Sequence, residues 1–396
     1  MSQAIAIFAR DHTTRPRMVA TRRQRAPAPR LDGILVITVA ALITMGLVAV
    51  YSSSSVYAAS RYGDAEHFLK LQLAWCGVGL AAMAMALRVS SAALKHRAGW
   101  IFLAAAALLV LVLVPAVGHR VGGARRWLSL FGATLQPSEL AKLAVVVILA
   151  AILSRRDELA ATLRPSLMWP VLVAQLPVAL ILAEPDLGTA LVLELIVAAM
   201  VFAAGLRLRT LIIGSLAALP IFYHLVVGTP FRLQRLLSFI DPWAYRSTIG
   251  YQVTEALISI GAGGVTGVGL GESKHKLLFL PEAHTDFIFA ILAEELGLVG
   301  AGFLLVAFAL LAWRGVRAAT RAATSFDAYL AVGLVALIGV PAVFNVCVAT
   351  GLLPTKGLPL PFVSYGGSDL LANLMAVGLL LRIERDGHSD SFESAT

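Results

Sequence analysis

The sequence predicts an all-α membrane protein with ten transmembrane helices and one large extracytoplasmic loop. Of its 396 residues, 59% are hydrophobic and only 14% are charged, and the mean hydropathy is +0.83. These values lie outside the usual range of soluble globular chains. The apolar residues also fall into blocks of roughly 17 to 28 residues, the length that a helix needs to cross a hydrocarbon core of about 30 Å.

Ten apolar blocks follow one another along the chain. Backbone in lipid must satisfy its own hydrogen bonds, so each block is predicted to form a helix. The fifth and sixth blocks are separated only by the sequence EPD at 184–186. The blocks begin near Ile34, Leu71, Ala98, Pro137, Ser166, Leu187, Thr210, Phe287, Ala328 and Gly357.

Basic residues orient the predicted helices, because short cytoplasmic loops are enriched in Lys and Arg. Seven arginines precede the first block, and an even number of spans places both termini in the cytoplasm. The net charge of +9 then indicates topology and contact with anionic membrane lipids, and not nucleic-acid binding. Residues 1–30 are predicted to form a disordered basic tail, 31–386 the ten-helix domain, and 387–396 a second cytoplasmic tail.

The segment at 231–286 is predicted to lie outside the cytoplasm and is long enough to build a site. Its sequence GAGGVTGVGLGESKHK contains six glycines, which permit positive φ angles and close backbone approach. A flexible re-entrant turn and a surface that contacts substrate both fit this pattern. Lys274 and Lys276 follow the glycines. Cys76 and Cys347 fall within predicted spans, so neither a disulfide nor a thiol metal site is expected.

The stretch PEAHTDFIFAILAEELG at 281–297 carries four carboxylates next to apolar sequence. Asp286 is expected at the outer membrane surface, where the eighth span begins. One interpretation is an acid in the first helical turn, capped by Thr285 and stabilised by the helix dipole by about 0.3 to 1 kcal/mol. The other is a functional carboxylate. Glu294 and Glu295 lie two turns deeper and are expected to face the bundle interior, paired or protonated.

Further polar motifs are predicted at the same outer face. QPSELAK places Glu139 and Lys142 three residues apart, so they can pair on one helix face. GARRW supplies Arg125 and Arg126 on the outer side, where cations are depleted, which favours an anionic ligand over a pair of interfacial anchors. EPDLGT adds two acids, Glu184 and Asp186, in a tight turn. GLLPTKGLPLPFVSYGGS at 351–368 includes Lys356 and Ser364 and predicts irregular backbone around a cavity.

These four motifs, LPEAHTDFIFAILAEELG, QPSELAK, EPDLGT and GLLPTKGLPLPFVSYGGS, together resemble the SEDS family (shape, elongation, division and sporulation). The similarity runs from the first to the tenth span, and LLPTKG and LPEAHTDF resemble the division members more than the elongation members. Three residues depart from the family pattern. Thr266 stands where an aromatic side chain is common, Pro341 where Gln is expected, and Asp369 where a second Ser usually follows SYGGS.

The resemblance implies a glycosyltransferase that polymerises lipid II, the undecaprenyl-diphosphate-linked disaccharide pentapeptide, outside the bacterial inner membrane at the division septum. It implies Asp286 as the catalytic base. Arg125, Arg126, Lys274, Lys276, Glu139, Lys142, Lys356 and Ser364 become candidates for substrate binding, with a divalent cation such as Mg²⁺ or Mn²⁺ as a further candidate. The implied partners are a class B penicillin-binding protein transpeptidase and other division proteins. A lipid flippase, a division scaffold and an elongation polymerase remain alternatives.

Overall fold

The computed structural model describes residues 31–121, 124–130, 133–159, 167–276 and 284–393. This part of the chain forms twelve helices and one small sheet. The helices are α1 (Gly33–Tyr62), α2 (His67–Ala86), α3 (Ser91–Leu113), α4 (Pro137–Leu159), α5 (Met168–Ala183), α6 (Leu187–Ala203), α7 (Leu208–Val227), α8 (Pro230–Ile240), α9 (Tyr251–Gly263), α10 (Ile288–Thr320), α11 (Ser325–Ala349) and α12 (Gly367–Glu393).

Each of the ten predicted apolar blocks corresponds to one helix, α1–α7 and α10–α12. Within the described residues, seven helices are long and apolar enough to cross a membrane, namely α1–α4, α7, α10 and α11. Helices α5 and α6 are apolar but only 16 and 17 residues long. The chain is therefore a largely helical protein with several membrane spans, and the count of ten stays a prediction.

The last helix differs from its prediction at both ends. It begins at Gly367 and not near Gly357, because the prolines at 354, 359 and 361 keep the preceding backbone out of a regular helix. It then continues to Glu393, through most of the residues predicted to form a C-terminal tail. The predicted N-terminal tail, 1–30, lies outside the described residues.

A small antiparallel sheet between α3 and α4 corrects the purely α-helical prediction. Its strands are β1 (Gly118–Val121), β2 (Ala124–Leu130) and β3 (Ala133–Leu135), in the order β1-β2-β3. Arg125 and Arg126 lie on β2, where successive side chains point to opposite faces. The sheet contacts α3, α4 and α12, so it fixes these arginines to the end of the bundle that is predicted to face outward, called the outer end below.

The Gly-rich turn after α9 inserts into the hydrogen-bond ladder of α10. Gly297 breaks this helix with φ 65° and ψ −164°. The amides of Leu298 and Val299 donate to the carbonyls of Gly264 and Val265, while the carbonyls of Glu294 and Glu295 accept from the amides of Val268 and Gly269. The glycines are needed because Gly267 has φ 84° and its Cα faces the backbone of α10, where a Cβ would clash.

Buried ion pairs join the inner ends of the helices. Arg314 on α10 pairs with Asp32, which caps α1, and with Glu384 on α12, at 2.5 and 2.7 Å. Arg382 on α12 pairs with Asp327 on α11 at 2.5 Å. Charges this deeply buried are stable only when paired, so these contacts fix the relative positions of four helices.

Candidate active site

Asp286 lies in the turn immediately before α10, at the outer end of the bundle. The helix begins at Ile288 with Phe287 at the N-cap, it has no acidic residue in its first turn, and no side chain caps it. The interpretation of Asp286 as a first-turn acid capped by Thr285 is therefore wrong. Asp286 is half-buried just outside the helix, and the functional interpretation of its carboxylate stays a prediction.

The segment that carries Asp286 is held in place by the loop at 350–366, which leads into α12 and is called the α12 approach loop. The buried Asn345 amide on α11 donates to the carbonyls of Asp286 and Leu358, at 2.9 and 2.8 Å. The Ser364 hydroxyl donates to the Thr285 carbonyl at 2.5 Å and accepts from the Leu360 amide at 2.8 Å. Ser364, predicted as a substrate contact, positions the segment that carries Asp286 in this structure.

Gly357 sets how closely the loop approaches the Asp286 carboxylate. A Cβ added at Gly357 would lie 2.7 Å from Oδ2 of Asp286, well inside van der Waals contact. Glycine lets the backbone of the loop lie directly against the carboxylate. Lys356, the preceding residue, is thereby held near the same site.

Cationic side chains lie close to Lys356. The set Arg126, Arg232, Arg235 and Lys356 is called the cationic cluster. Burial, together with the neighbouring Arg235 and Arg232, lowers the pKa of Lys356 to about 8, while Asp186 acts in the opposite direction. Burial also lowers the pKa of Arg235, against the effect of the nearby Asp286. A bound anion would raise both pKa values again, because it stabilises the charged forms of both side chains.

The EPD turn between α5 and α6 supplies the acidic side of the cluster. Arg126 donates to the carbonyls of Glu184 and Pro185, and its guanidinium lies 3.7 Å from Asp186. Asp186 caps α6 through Thr189. Glu184 is fully buried, and its carboxyl has no hydrogen-bond partner among the described residues. Burial and the nearby Asp186 together raise its pKa to about 8, against the opposing effect of Arg126.

Glu139 and Lys142 form the predicted pair on α4. Their charged atoms lie 2.8 Å apart, and both side chains are buried, with exposed fractions of 4% and 3%. Asp369, one of the departures from the family pattern, is also buried and accepts a hydrogen bond from Asn373. Lys142 also lies within electrostatic range of Asp369 and of Asp186, the residue that pairs with Arg126. Substrate contact by Glu139 and Lys142 stays a prediction.

The remaining predicted cations lie elsewhere. Lys276 pairs with Glu295 at 3.0 Å and hydrogen-bonds Ser52 on α1. Lys274 is exposed beside the Gly-rich turn, and neither lysine is brought into the cluster around Lys356. Glu294 and Glu295 are buried and hydrogen-bonded, as predicted. Arg125 is half buried and points to the face of β2 opposite Arg126.

Arg232 and Arg235 on α8 are cluster members that the sequence predictions did not include. Arg232 donates to the Leu225 carbonyl, and Arg235 approaches the Thr355 carbonyl at 3.4 Å. The signal that could have found them is the same one that indicated Arg126, namely arginines on the extracytoplasmic side. The short amphipathic helix in FRLQRLLSFIDPW places both on one side, three residues apart.

The donor set does not fit a metal held by the protein alone. Among the described residues, no three His, Cys, Asp or Glu side chains are close enough together to hold a metal ion. The cluster instead combines one positioned carboxylate, Asp286, with the cations Arg126, Arg232, Arg235 and Lys356. This arrangement can take a proton from a hydroxyl and stabilise a negatively charged leaving group.

Comparison with known proteins identifies the family of the chain. A family model described as "Cell cycle protein", which covers FtsW, RodA and SpoVE, matches residues 33–389. The chain belongs to this family. The match includes α1–α11 and most of α12.

Three similar proteins span nearly the whole chain. A probable peptidoglycan glycosyltransferase FtsW from Geobacter sulfurreducens is 41% identical over 354 residues, or 89% of this chain and 95% of the relative. A chain from a solved peptidoglycan synthase complex, described as coordinating polymerization and crosslinking, is 34% identical, with a TM-score of 0.75 and coverage of 91% and 99%. The Thermus thermophilus rod shape determining protein RodA is 32% identical, with a TM-score of 0.66 and coverage of 90% and 97%.

We predict that Glu139 and Lys142 act as a unit in stability. Removing either partner leaves an uncompensated buried charge, so Glu139→Ala and Lys142→Ala should each lower the free energy of unfolding by about 3 to 5 kcal/mol. The double variant should lose less than the sum. Denaturant unfolding of the purified protein measures all three values. The exposed Lys70–Asp64 pair is the matched control, and strict additivity at Glu139 and Lys142 would contradict the prediction.

Proposed function

We propose that the protein is a peptidoglycan glycosyltransferase that polymerises lipid II, with Asp286 as the general base. The observation that carries the proposal is the position of Asp286, which is fixed by the α12 approach loop beside Arg235 and Lys356. The family membership and the names of the relatives support the same activity.

The proposed reaction forms one glycosidic bond and breaks one bond to phosphate. The 4-hydroxyl oxygen of an acceptor sugar attacks the anomeric carbon of the donor, and the Asp286 carboxylate takes the hydroxyl proton. The bond between that carbon and the diphosphate oxygen breaks, and the diphosphate leaves with the electron pair. Arg126, Arg235 and Lys356 stabilise its growing charge, so no acid is needed to protonate it.

The site lies at the end of the bundle opposite the cytoplasmic termini in the proposed orientation. In this proposal the protein polymerises lipid II at the outer face of the bacterial inner membrane. Its role is in cell division, and it acts at the septum. The similarity to FtsW supports this role over elongation. The predicted topology, with both termini in the cytoplasm, belongs to the same proposal.

We predict that Asp286→Asn retains lipid II binding within a few-fold but polymerises at least on the order of 10² more slowly, because the amide cannot accept the proton. Asp286→Glu should also be poor, since one methylene moves the carboxylate by about 1 Å. Gly357→Ala should impair polymerisation as well, because its methyl group displaces the carboxylate. Glycan products from labelled lipid II and a separate binding assay measure the two effects.

Gly214→Ala is the matched control for Gly357→Ala, because nothing lies within 4 Å of the added methyl on α7. Folded Asp286→Asn that polymerises at more than about a tenth of the wild-type rate would remove Asp286 from the reaction. A flippase would still move lipid II across liposome membranes in this variant, and a scaffold would still support division in cells that carry it.

We predict that the apparent affinity for lipid II falls as the pH rises through about 8. Lys356 is positively charged below its pKa of about 8 and neutral above it, so its attraction to the diphosphate weakens there. In Lys356→Arg the KM for lipid II should change much less between pH 7 and pH 9, because arginine stays protonated.

Glu184 titrates in the same range and requires a control. Its pKa is raised to about 8, so it gains negative charge as the pH rises. Glu184→Gln cannot ionise, and this variant should keep the lysine-dependent part of the pH effect. If Lys356→Arg shows the full wild-type pH dependence while Glu184→Gln abolishes it, the effect belongs to the glutamate and the prediction for Lys356 is wrong.

The partner proposal also rests on the similarity to the synthase complex. We propose that a class B penicillin-binding protein transpeptidase packs its transmembrane helix against α10 and α11. Three glycines lie close together on α10, but Gly297 forms the kink and Gly300 is buried against Leu296. Gly302 is half-buried and has nothing within 4 Å of an added Cβ, so it allows close helix approach.

We predict that Gly302→Leu weakens copurification of the transpeptidase, because the added side chain separates the two helices. Gly77→Leu on α2 is the matched control, since its added Cβ also meets nothing within 4 Å. Copurification from membranes, quantified against wild type, is the measurement. Unchanged copurification in folded Gly302→Leu would show that the partner uses another face.

A further inference from the structure

A groove runs between α1 and α10, away from the residues around Asp286. It consists of two adjoining cavities of about 780 and 620 Å³, which share Val48 and Leu270. Both volumes are within the range of ligand pockets. The larger cavity is lined by Ala41, Thr44, Met45, Val48, Ala49, Thr266, Leu270, Leu292, Glu295, Leu296, Val299, Gly300 and Phe303. Its walls are therefore almost entirely apolar.

The position of the groove along the helices matches the outer leaflet of a bilayer. The apolar run of α1 ends at Tyr51 and is followed by four serines, and on α10 two glutamates interrupt the apolar sequence, which resumes at Leu296. Ser52 donates to Glu295 at 2.6 Å, so the serines and the glutamates form one polar level about two helical turns inside the start of α10. Below this level the larger cavity extends along α1 to Ala41, about 15 Å deeper.

The smaller cavity lies at the polar level and has one charge of each sign that is not balanced by an ion pair among the described residues. Lys276 and Glu295 neutralise each other at 3.0 Å. This leaves Lys274 and Glu272, both exposed lining residues, and neither pairs with another side chain in the described part of the chain. A headgroup with one phosphate and one ammonium complements this pair. A diphosphate is better matched by the cations around Lys356.

Thr266 keeps the groove open. Its small, exposed side chain lines the larger cavity, opposite Thr44 of α1. An aromatic side chain, which the family resemblance leads one to expect here, would occupy space that is open in this chain. The replacement of the expected aromatic residue by Thr266 therefore affects the space available for lipid and not the proposed reaction.

We propose that the groove between α1 and α10 binds one zwitterionic phospholipid of the ethanolamine type. Its acyl chain lies in the apolar cavity, its phosphate contacts Lys274 and its ammonium contacts Glu272. The groove shares no residue with the cluster around Asp286, so this lipid site is distinct from the proposed reaction centre.

Native mass spectrometry of the purified protein, equilibrated in nanodiscs with equal amounts of phosphatidylethanolamine and phosphatidylglycerol, tests the proposal. Wild type should retain the ethanolamine lipid preferentially. Thr266→Phe should reduce this retention roughly ten-fold, the loss expected when about two methylenes leave the groove. Val306→Phe, exposed on α10 outside the groove, is the matched control and should behave as wild type.

The headgroup contacts have their own variants. Lys274→Ala and Glu272→Gln should each reduce retention of the ethanolamine lipid by roughly two- to five-fold, as for exposed ion pairs. Glu272→Gln should also shift the preference toward phosphatidylglycerol, because the ammonium loses its partner. Lys70→Ala, at an exposed cation outside the groove, should change nothing.

Several results would overturn the proposal. These are equal or stronger retention of phosphatidylglycerol by wild type, wild-type retention in folded Thr266→Phe, or displacement of the bound lipid by undecaprenyl phosphate or by the transpeptidase helix. If Thr266→Phe fails to fold, Thr44→Phe on the opposite wall replaces it. Normal retention in folded Thr44→Phe would equally exclude this site.

Discussion

The contact between the α12 approach loop and the turn before α10 determines the geometry of the candidate site. One buried amide, Asn345, bridges the Asp286 and Leu358 carbonyls, and Ser364 ties the same two segments together one residue away. Residues far apart in sequence thus share a single backbone framework. Because Gly357 lies directly against the Asp286 carboxylate, the cation at Lys356 and the candidate base are positioned by the same few hydrogen bonds.

Charge is used differently at the two ends of the helix bundle. At the inner end, Arg314 and Arg382 are buried with matching carboxylates, so these charges contribute to structure. At the outer end, arginines and a lysine approach one another, with part of their charge balanced by Asp186 and Asp286. Repulsion among these cations costs free energy in the unliganded protein, and an anionic substrate would offset that cost. The charges at the inner end are therefore fully paired, whereas those at the outer end leave a local excess of positive charge.

Local sequence patterns predicted much of this structure. Apolar block lengths located the helices, and the i,i+3 spacing of Glu139 and Lys142 identified a pair that forms within one helix. The small sheet was missed because it depends on turns and tertiary contacts. The late start of α12 has a local cause, since the prolines at 354, 359 and 361 exclude a regular helix there, so the sequence already contained its signal. Arg235 was missed for a related reason, since its proximity to Asp286 arises only when α8 folds back over the α12 approach loop. Residue type indicated the chemistry, but only the fold showed which charges meet.

The insertion of the Gly-rich turn into α10 has a consequence for local unfolding. The carbonyls of Glu294 and Glu295 and the amides of Leu298 and Val299 exchange their usual helical partners for the backbone of 264–269. Separating the turn from the helix would leave four pairs of backbone groups unsatisfied beside an apolar environment. Gradual fraying of either element alone is therefore disfavoured. The turn and the middle of α10 form one cooperative unit, whose amide hydrogens exchange with solvent together and slowly.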